Sequence, residues 1–347
     1  MAESFPSLIQ QRTTEARTSP FELESGGYWF HYLDDKIAGY LLSIDQQAPA
    51  PEIFCCETDV TKLYQCLEEK VFTRDLDGIV IKATNFHSNQ GVFVLVNQTR
   101  TGGQRSDPLF DLMTKMPTTY NDTMAALSFM QASKIIVEEF VGEALPPEYK
   151  FHVVNGTVAA IDIIVGRDGD CPCYAVVDDA WNRLDTFGCF EPGGFELKDK
   201  TTTCTAIDFE TGEQKAGPIK KDLYMCNEIP KIDDCLLNEM IAIALDLGKR
   251  IGVYMRVDMF VVNNKVYVQE YSANHMNGIR HCAAKTDDKG CIDSCFMGRM
   301  WNEAGGPFGG VSTQIPIQLV GFSALTPAEQ CSLITNTVVP KHVSKCP

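Results

Sequence analysis

The chain has 347 residues, with 30 lysines and arginines against 46 aspartates and glutamates, a formal net charge of −16. That length suits one large domain or two to three small ones. The acidity leaves no cation excess to replace counterions on a nucleic-acid backbone or to bind an anionic membrane surface. Apolar runs stay short of the roughly 18 to 20 residues a spanning helix needs, so neither nucleic acid nor membrane is an expected partner.

Residues 1–21 show no basic stretch followed by an apolar core, so no secretory leader is expected and the expected localisation is cytoplasmic. In that setting the 14 cysteines are expected as reduced thiols rather than a disulfide framework. Cys171-Pro172-Cys173 and the pair Cys291 and Cys295 are closely spaced. Neither is a CxxC with histidine at zinc spacing, so no structural zinc is expected.

Residues 1 to about 25 are polar and read as an arm or an early helix. Residues 28–44 alternate aromatic and apolar side chains around Asp34-Asp35 and read as a hairpin, which Pro49 and Pro51 terminate. Asp59 caps a predicted helix over 60–70, with Leu63 and Leu67 on one face. Residues 78–83 and 92–97 read as paired strands. The loop between them, 84–91, is small and polar and closes on a glycine, so its backbone N–H groups can face phosphate. Lys82 stands at the mouth of that loop among Val80, Ile81 and Ala83. A lysine in such company needs an anion, although an edge-strand lysine that blocks aggregation reads the same way.

Residues 100–108 form a linker, and short helices are predicted near 109–116 and 122–131. Residues 134–141 are a strand running into Gly142, with Pro146-Pro147 beyond. Backbone leaving a strand in this way can offer N–H and C=O groups to an adenine edge, with Glu143 placed to hold ribose hydroxyls. Residues 148–165 are a hairpin about Asn155-Gly156, a two-residue turn signal. Lys150 and His152 share a face of its first strand, and His152 reads as a packed, hydrogen-bonded histidine. Residues 166–230 are rich in Gly, Asp, Thr and Pro and read as an insertion that shapes a substrate pocket.

The clearest helix spans 233–252, capped by Asp233, striped with Leu236, Leu237, Met240, Ile241, Ala244 and Leu245, and ended by Gly252. It delivers the chain into 255–274. There two strands flank Asn263-Asn264-Lys265, and Arg256 and Asp258 share a face. A three-residue loop sets Asp258 opposite Glu270, whereas a two-residue loop pairs Asp258 with Gln269 and turns Glu270 away. The first register gathers two carboxylates and an arginine, and Asn274 just beyond adds an amide oxygen. That is a hard-oxygen set suited to Mg²⁺ carried with a nucleotide phosphate; a merely solvated polar face is the alternative. A loop bearing His275, Gly278, Arg280 and His281 follows, then a helix near 292–302 and a last helix opened by the capping box Thr326-Pro327-Ala328-Glu329.

This order resembles the ATP-grasp superfamily, in which two α+β subdomains clamp Mg-ATP. More narrowly it is similar to the TupA-like branch, named for teichuronopeptide synthesis, on the strength of EYKFHVVNGTV at 148–158 and RVDMFVVNNKVYVQEYS at 256–272. The likeness covers roughly residues 28–305. It implies an α+β fold with a small N-terminal α/β region over 1–70, a lid subdomain over 71–145, and a core subdomain over 146–305 that carries the 166–230 insertion. A tail with a helix occupies 306–347. By the resemblance Lys82 contacts the α- and β-phosphates, and 84–91, with Ser88 and Gly91, forms the phosphate loop. Glu138, Glu139, Phe140 and Val141 line the adenine, Glu143 holds the ribose, and Lys150 joins the nucleotide-binding set. Arg256 neutralises a γ-phosphate or acyl-phosphate. Asp258 and Glu270 hold Mg²⁺ or Mn²⁺. The third ligand usually stands two residues after the glutamate, where this chain has Ser272, so Asn274 is taken in its place. Relatives carry a further lysine on an earlier strand, and Lys36 is its match here. The implied activity is ATP-dependent ligation of a small carboxylate, such as an amino acid, to an amine through an acyl-phosphate. A kinase on the same scaffold and a non-catalytic nucleotide-binding regulator are the alternatives. Arg280 and His281 are candidates for a substrate carboxylate.

Overall fold

A computed structural model of the chain describes residues 33–74, 76, 78–84, 86, 90–96, 109–112, 114, 116–142, 145–166, 173–183, 224–226, 228–252, 254–273, 300–301, 303, 319, 321–337 and 346. They form a mixed α/β fold around two six-stranded sheets. The first sheet holds β1 (Ile53–Glu57), β2 (Gly78–Ala83), β3 (Val92–Val96), β4 (Leu109–Asp111), β5 (Met116–Thr118) and β6 (Ile135–Glu139). Its order is β1-β6-β2-β3-β4-β5, antiparallel throughout. The second holds β7 (Glu148–Val154), β8 (Thr157–Val165), β9 (Cys173–Val177), β10 (Tyr224–Met225), β11 (Met255–Val262) and β12 (Lys265–Ser272). Its order is β10-β9-β8-β7-β11-β12, antiparallel except at the β9–β10 edge.

Among the described residues five α-helices dress the sheets: α1 (Lys36–Asp45), α2 (Val60–Cys66), α3 (Tyr120–Phe129), α4 (Asp234–Ile251) and α5 (Pro327–Thr335). One face of the first sheet, with Ile79, Ile81, Phe93, Leu95, Ile135 and Val137, packs against α2 and α3. Asp59 starts α2 by accepting from Thr61 N at 2.7 Å and Lys62 N at 3.2 Å, and a π-helical turn over Leu67–Val71 extends it. The amphipathic α4 covers the apolar face of the second sheet, where Phe151, Val153, Ile161, Ile163, Val257 and Met259 are buried. Gly252, at φ 77°, ends that helix in the left-handed conformation that glycine adopts without a Cβ penalty.

Three sequence expectations change. Residues 36–45 are helical, not one arm of a hairpin, because Asp35 caps them through Ile37 N at 2.9 Å and Ile37, Ala38, Tyr40, Leu41 and Leu42 are all buried. A short segment buried nearly all round shows no period that separates strand from helix. Residues 109–111 and 116–118 are strands instead of a short helix, because β3 offers β4 a pairing edge. Pro117 is tolerated because β5 is the outermost strand. Part of the 166–230 insertion is strand as well: β9 and β10 extend the second sheet beyond β8.

The cysteines also depart from the reduced thiols expected of a cytoplasmic chain. Disulfides join Cys55 to Cys66, Cys56 to Cys331, Cys173 to Cys226 and Cys235 to Cys346. Cys55 and Cys56 are neighbours on a strand, so their side chains leave opposite faces. One reaches α2 and the other α5. The C-terminal segment is therefore tied to the first sheet through Cys331 and to the first turn of α4 through Cys346. Among the described residues no helix is long and apolar enough to cross a membrane.

Two stability predictions follow from this packing. A Cβ on Gly248 would stand 2.2 Å from Val153 Cγ1 and 3.2 Å from Gly156 N, so Gly248→Ala forces α4 off the hairpin and costs about 1–3 kcal/mol, read by denaturant melting. Converting both Cys56 and Cys331 to serine opens a bridge that spans 275 residues of sequence. We expect a loss of about 2–4 kcal/mol, and a melting temperature less sensitive to reductant than that of the parent.

Candidate functional site

The site begins with two hairpins that share one device. In the first, Asn155 and Gly156 take φ 47° and 75°; in the second, Asn263 and Asn264 take φ 50° and 57°. These are two-residue turns of the kind that matches strand twist. Val154 then pairs with Thr157, and Val262 with Lys265. Continued unbroken, those registers would set Asp258 against Gln269. A β-bulge in each second strand shifts the pairing by one residue, so Lys150 faces Asp162 and Asp258 faces Glu270. The expected Asp258–Glu270 pairing is therefore present, but by a two-residue turn and a bulge rather than by a three-residue loop.

Because β7 pairs with β11 so that Lys150 lies opposite Asp258, Asp162, Lys150, Asp258 and Glu270 form one row across four strands. Arg256 and His152 face each other in the next row. Most of this row is buried: Asp162 and Asp258 are fully buried and Lys150 is 4% exposed, while Glu270 on the outermost strand is half-buried; Arg256 in the next row is 8% exposed. Both Asp258 oxygens are bonded. Arg256 Nε donates to Oδ1 at 2.5 Å, and Oδ2 accepts from Arg256 Nη2 at 2.7 Å and Lys150 Nζ at 2.5 Å. Lys150 also pairs with Glu148 at 3.0 Å, and Arg256 Nη2 lies 3.9 Å from Glu270. Burial draws the Arg256 pKa down, but Asp258 and Glu270 outweigh it and hold the guanidinium above its ordinary value. Burial lifts Glu270, but Lys36, Arg256 and Lys150 together bring its carboxyl below the ordinary value against the like charge of Glu148.

The first sheet contributes a second charged pair. Lys82 on β2 and Glu138 on β6 are both buried and ion-paired, and Tyr40 of α1 donates its hydroxyl to the other Glu138 oxygen. Burial pushes the Glu138 carboxyl well above its ordinary value, Lys36 opposes that, and Glu270 reinforces it. Glu138 and Glu270 thus sense one another and the same lysine although they belong to different sheets. The α1 helix explains this, because its Lys36, Tyr40 and Ser43 fall on one stripe. Lys36 Nζ donates to Phe86 O at 2.7 Å, and Ser43 meets Tyr271 of β12 at 2.7 Å. Lys36 is therefore at the start of a helix and not on an earlier strand, yet it reaches the stretch between β2 and β3.

Several of these partners escape a sequence reading. Asp34 accepts from Ala273 N at 3.2 Å, while Asp35 pairs with Lys134 at 2.5 Å and Lys134 also donates to Gln330 of α5 at 2.5 Å. The adjacent acids thus tie the start of α1 to both sheets, and Lys134 links that junction to α5. Asp162 is fully buried and 3.0 Å from His152 Nε2, whose Nδ1 meets Tyr254 O–H at 2.9 Å. His152 is the packed, hydrogen-bonded residue its pattern suggests. The signal for Asp162 was present as an acid at an inward position of a β-branched strand.

The remaining expected residues divide. Glu139 N–H is given to Glu52 O at 2.8 Å and Phe140 N–H to Gly78 O at 3.1 Å. Phe140 is packed with Val80 and Val94. Val141 is half-buried, just before Gly142 at φ 101°. Gly91, at φ 65°, accepts from Ala83 N at 2.9 Å and leaves a Cβ only 3.0 Å from Ala83 Cβ, so it closes the β2–β3 connection by close approach. Ser88, Glu143, Asn274, Arg280 and His281 lie outside the described residues. Among the described residues no three His, Cys, Asp or Glu side chains gather as a metal cage. Asp258 and Glu270 supply two carboxylates in register, which suffices for Mg²⁺ completed by phosphate oxygens and water.

Solved structures similar to this chain include the VanG D-Ala:D-Ser ligase from Enterococcus faecalis (13% identity, TM-score 0.39), which covers 80% of this chain and 61% of its own. The D-alanyl-alanine synthetase A from Vibrio cholerae has 14% identity and a TM-score of 0.38, with coverage of 79% and 65%. The D-cycloserine synthetase DcsG has 10% identity and a TM-score of 0.40, with coverage of 79% and 71%. The chain spans less than two thirds of the length of the first two. No family model and no curated protein matches the chain.

The charge balance around Glu270 sets a pH test. A carboxyl held below its ordinary value of about 4.3 contributes stability that is complete above that value and is lost as pH falls through the lowered one. Glu270→Gln should flatten the acid limb of the melting-temperature profile below about pH 4.3. Identical limbs in parent and variant would contradict the lowered value.

Proposed function

We propose that the chain is an ATP-dependent carboxylate–amine ligase of the ATP-grasp type, TupA-like in its motifs. In this reading the lid subdomain over 71–145 and the core subdomain over 146–305 close on Mg-ATP. The observation that supports it most is the buried face on which Arg256, Lys150, Asp258 and Glu270 meet in register, with Lys82, Lys36 and Glu138 beside it. Taking so many charges out of water is costly even when they pair with one another, and the face offers cations for an anionic ligand and carboxylates for a metal.

In this reading the phosphates take up the cations that now neutralise carboxylates. Lys82 and Lys36 turn from Glu138 and the β2–β3 connection to the α- and β-phosphates. Arg256 and Lys150 turn from Asp258 to the γ-phosphate and free its oxygens. Asp258 and Glu270 would hold Mg²⁺ or Mn²⁺, with Asn274 as the third ligand. When bound, the metal neutralises phosphate charge and aligns the γ-phosphoryl group. Val141 offers its backbone to the adenine edge, because the amides of Glu139 and Phe140 are already donated within the sheet. Glu143 holds the ribose. The substrate carboxylate attacks the γ-phosphorus, ADP leaves, and an amine displaces phosphate from the acyl-phosphate. Arg256 and Lys150 stabilise the charge that builds on the transferring group, and the closed sheets keep water from the acyl-phosphate. No side-chain nucleophile is needed.

The test is ATP turnover with Mg²⁺ against pools of amino acids and small carboxylic acids, with ADP, AMP and phosphate read separately. The ligase predicts ADP and phosphate only when an acid and an amine are both present. ADP without phosphate would identify a kinase, and AMP would exclude an acyl-phosphate. Asp258→Asn should lower kcat by at least about 10²-fold in protein that still melts cooperatively.

A further inference from the structure

We propose that Asn155 carries an N-linked oligosaccharide. The first observation is covalent: disulfides join residues separated by 11, 275, 53 and 111 positions. Disulfides of this kind form and persist in oxidising compartments. In secretory compartments asparagine in the pattern Asn-x-Ser/Thr is also glycosylated, provided x is not proline.

The second observation is where that pattern falls. Asn155-Gly156-Thr157 is the turn between β7 and β8, and Asn155 and Thr157 are both exposed. The turn is held from one side, since a Cβ on Gly156 would crowd Lys249 Cγ on α4, while Asn155 itself is exposed. Two other such tripeptides occur. Asn97-Gln98-Thr99 has its acceptor outside the described residues. Asn121-Asp122-Thr123 lies in the first turn of α3, where Thr123 is fully buried and Asn121 Oδ1 accepts from Tyr64 O–H at 3.1 Å. Among the described residues, Asn155 is therefore the acceptor left unobstructed. It stands five residues along β7 from Lys150, roughly 17 Å at the rise of a strand, so a glycan there leaves the charged face open.

In the transfer, the Asn155 side-chain nitrogen bonds to C1 of the reducing-end sugar of a polyprenyl-diphosphate-linked oligosaccharide. The C1–O bond to the diphosphate breaks, polyprenyl diphosphate leaves and the amide gives up one proton. The full chain isolated from the cells that make it is digested with peptide-N-glycosidase and mapped by mass spectrometry without reduction. The expected result is intact disulfides, a loss of mass on digestion and recovery of position 155 as aspartate. The shift should vanish in Asn155→Gln and persist in Thr157→Ser. An unmodified Asn155 beside intact disulfides overturns the proposal. So does modification confined to Asn97 or Asn121, and so does a chain whose cysteines are all free thiols.

Discussion

A fully buried aspartate held by an arginine and a lysine governs this structure. Asp258 has no water to solvate it, and an isolated carboxylate in that position would cost several kcal/mol. Arg256 supplies a fork from the same strand, and Lys150 supplies a point charge from β7 across the ladder. Each cation in turn leans on a second acid, Glu270 or Glu148. Loss of any one partner leaves a buried charge uncompensated, so the group fixes the relation of β7, β11 and β12 more firmly than apolar packing alone would. The proposed function would draw on the same groups, the cations for phosphate and the carboxylates for a metal.

That arrangement depends on two bulges. Both tight turns are written plainly in Asn155-Gly156 and Asn263-Asn264, and local turn chemistry is strong enough to be read without a structure. The bulges are not written in the same way. They shift each second strand by one residue, so that Lys150 stands opposite Asp162 and Asp258 opposite Glu270, pairings the turns alone would not give. A sequence reading could name Asp258 and Glu270 as partners and still mistake the loop that makes them so. The long helix α4 and its caps were legible for the opposite reason, since stripe, cap and terminal glycine all act locally. The start of α1 was obscured because its residues are buried on nearly every side. The strands β4 and β5 exist only because β3 offers an edge.

The cysteines show the same limit. Spacing along the chain says little when partners such as Cys56 and Cys331 are brought together by folding, and a compartment inferred from the first residues says nothing about pairing. Adjacent positions on β1 send one bridge into α2 and the other to α5, which follows from the alternation of a strand once the strand is known. With Cys346 bound to Cys235, the tail is fastened to elements of both sheets, and Lys134, Asp35 and Gln330 bury a polar junction beside it. The two sheets are thus joined through α1, through this junction and through covalent bonds. Any closure on a ligand has to work within those ties.

The most direct test of the account is calorimetric titration of ATP into the protein with and without Mg²⁺, repeated on Lys150→Met. The account predicts ATP binding that strengthens when Mg²⁺ is present and that weakens in the variant, because the lysine which neutralises Asp258 in the free protein passes to phosphate in the complex. Binding that ignores both the metal and the loss of Lys150, or no binding at all, would contradict the claim that this buried face is a nucleotide-phosphate site.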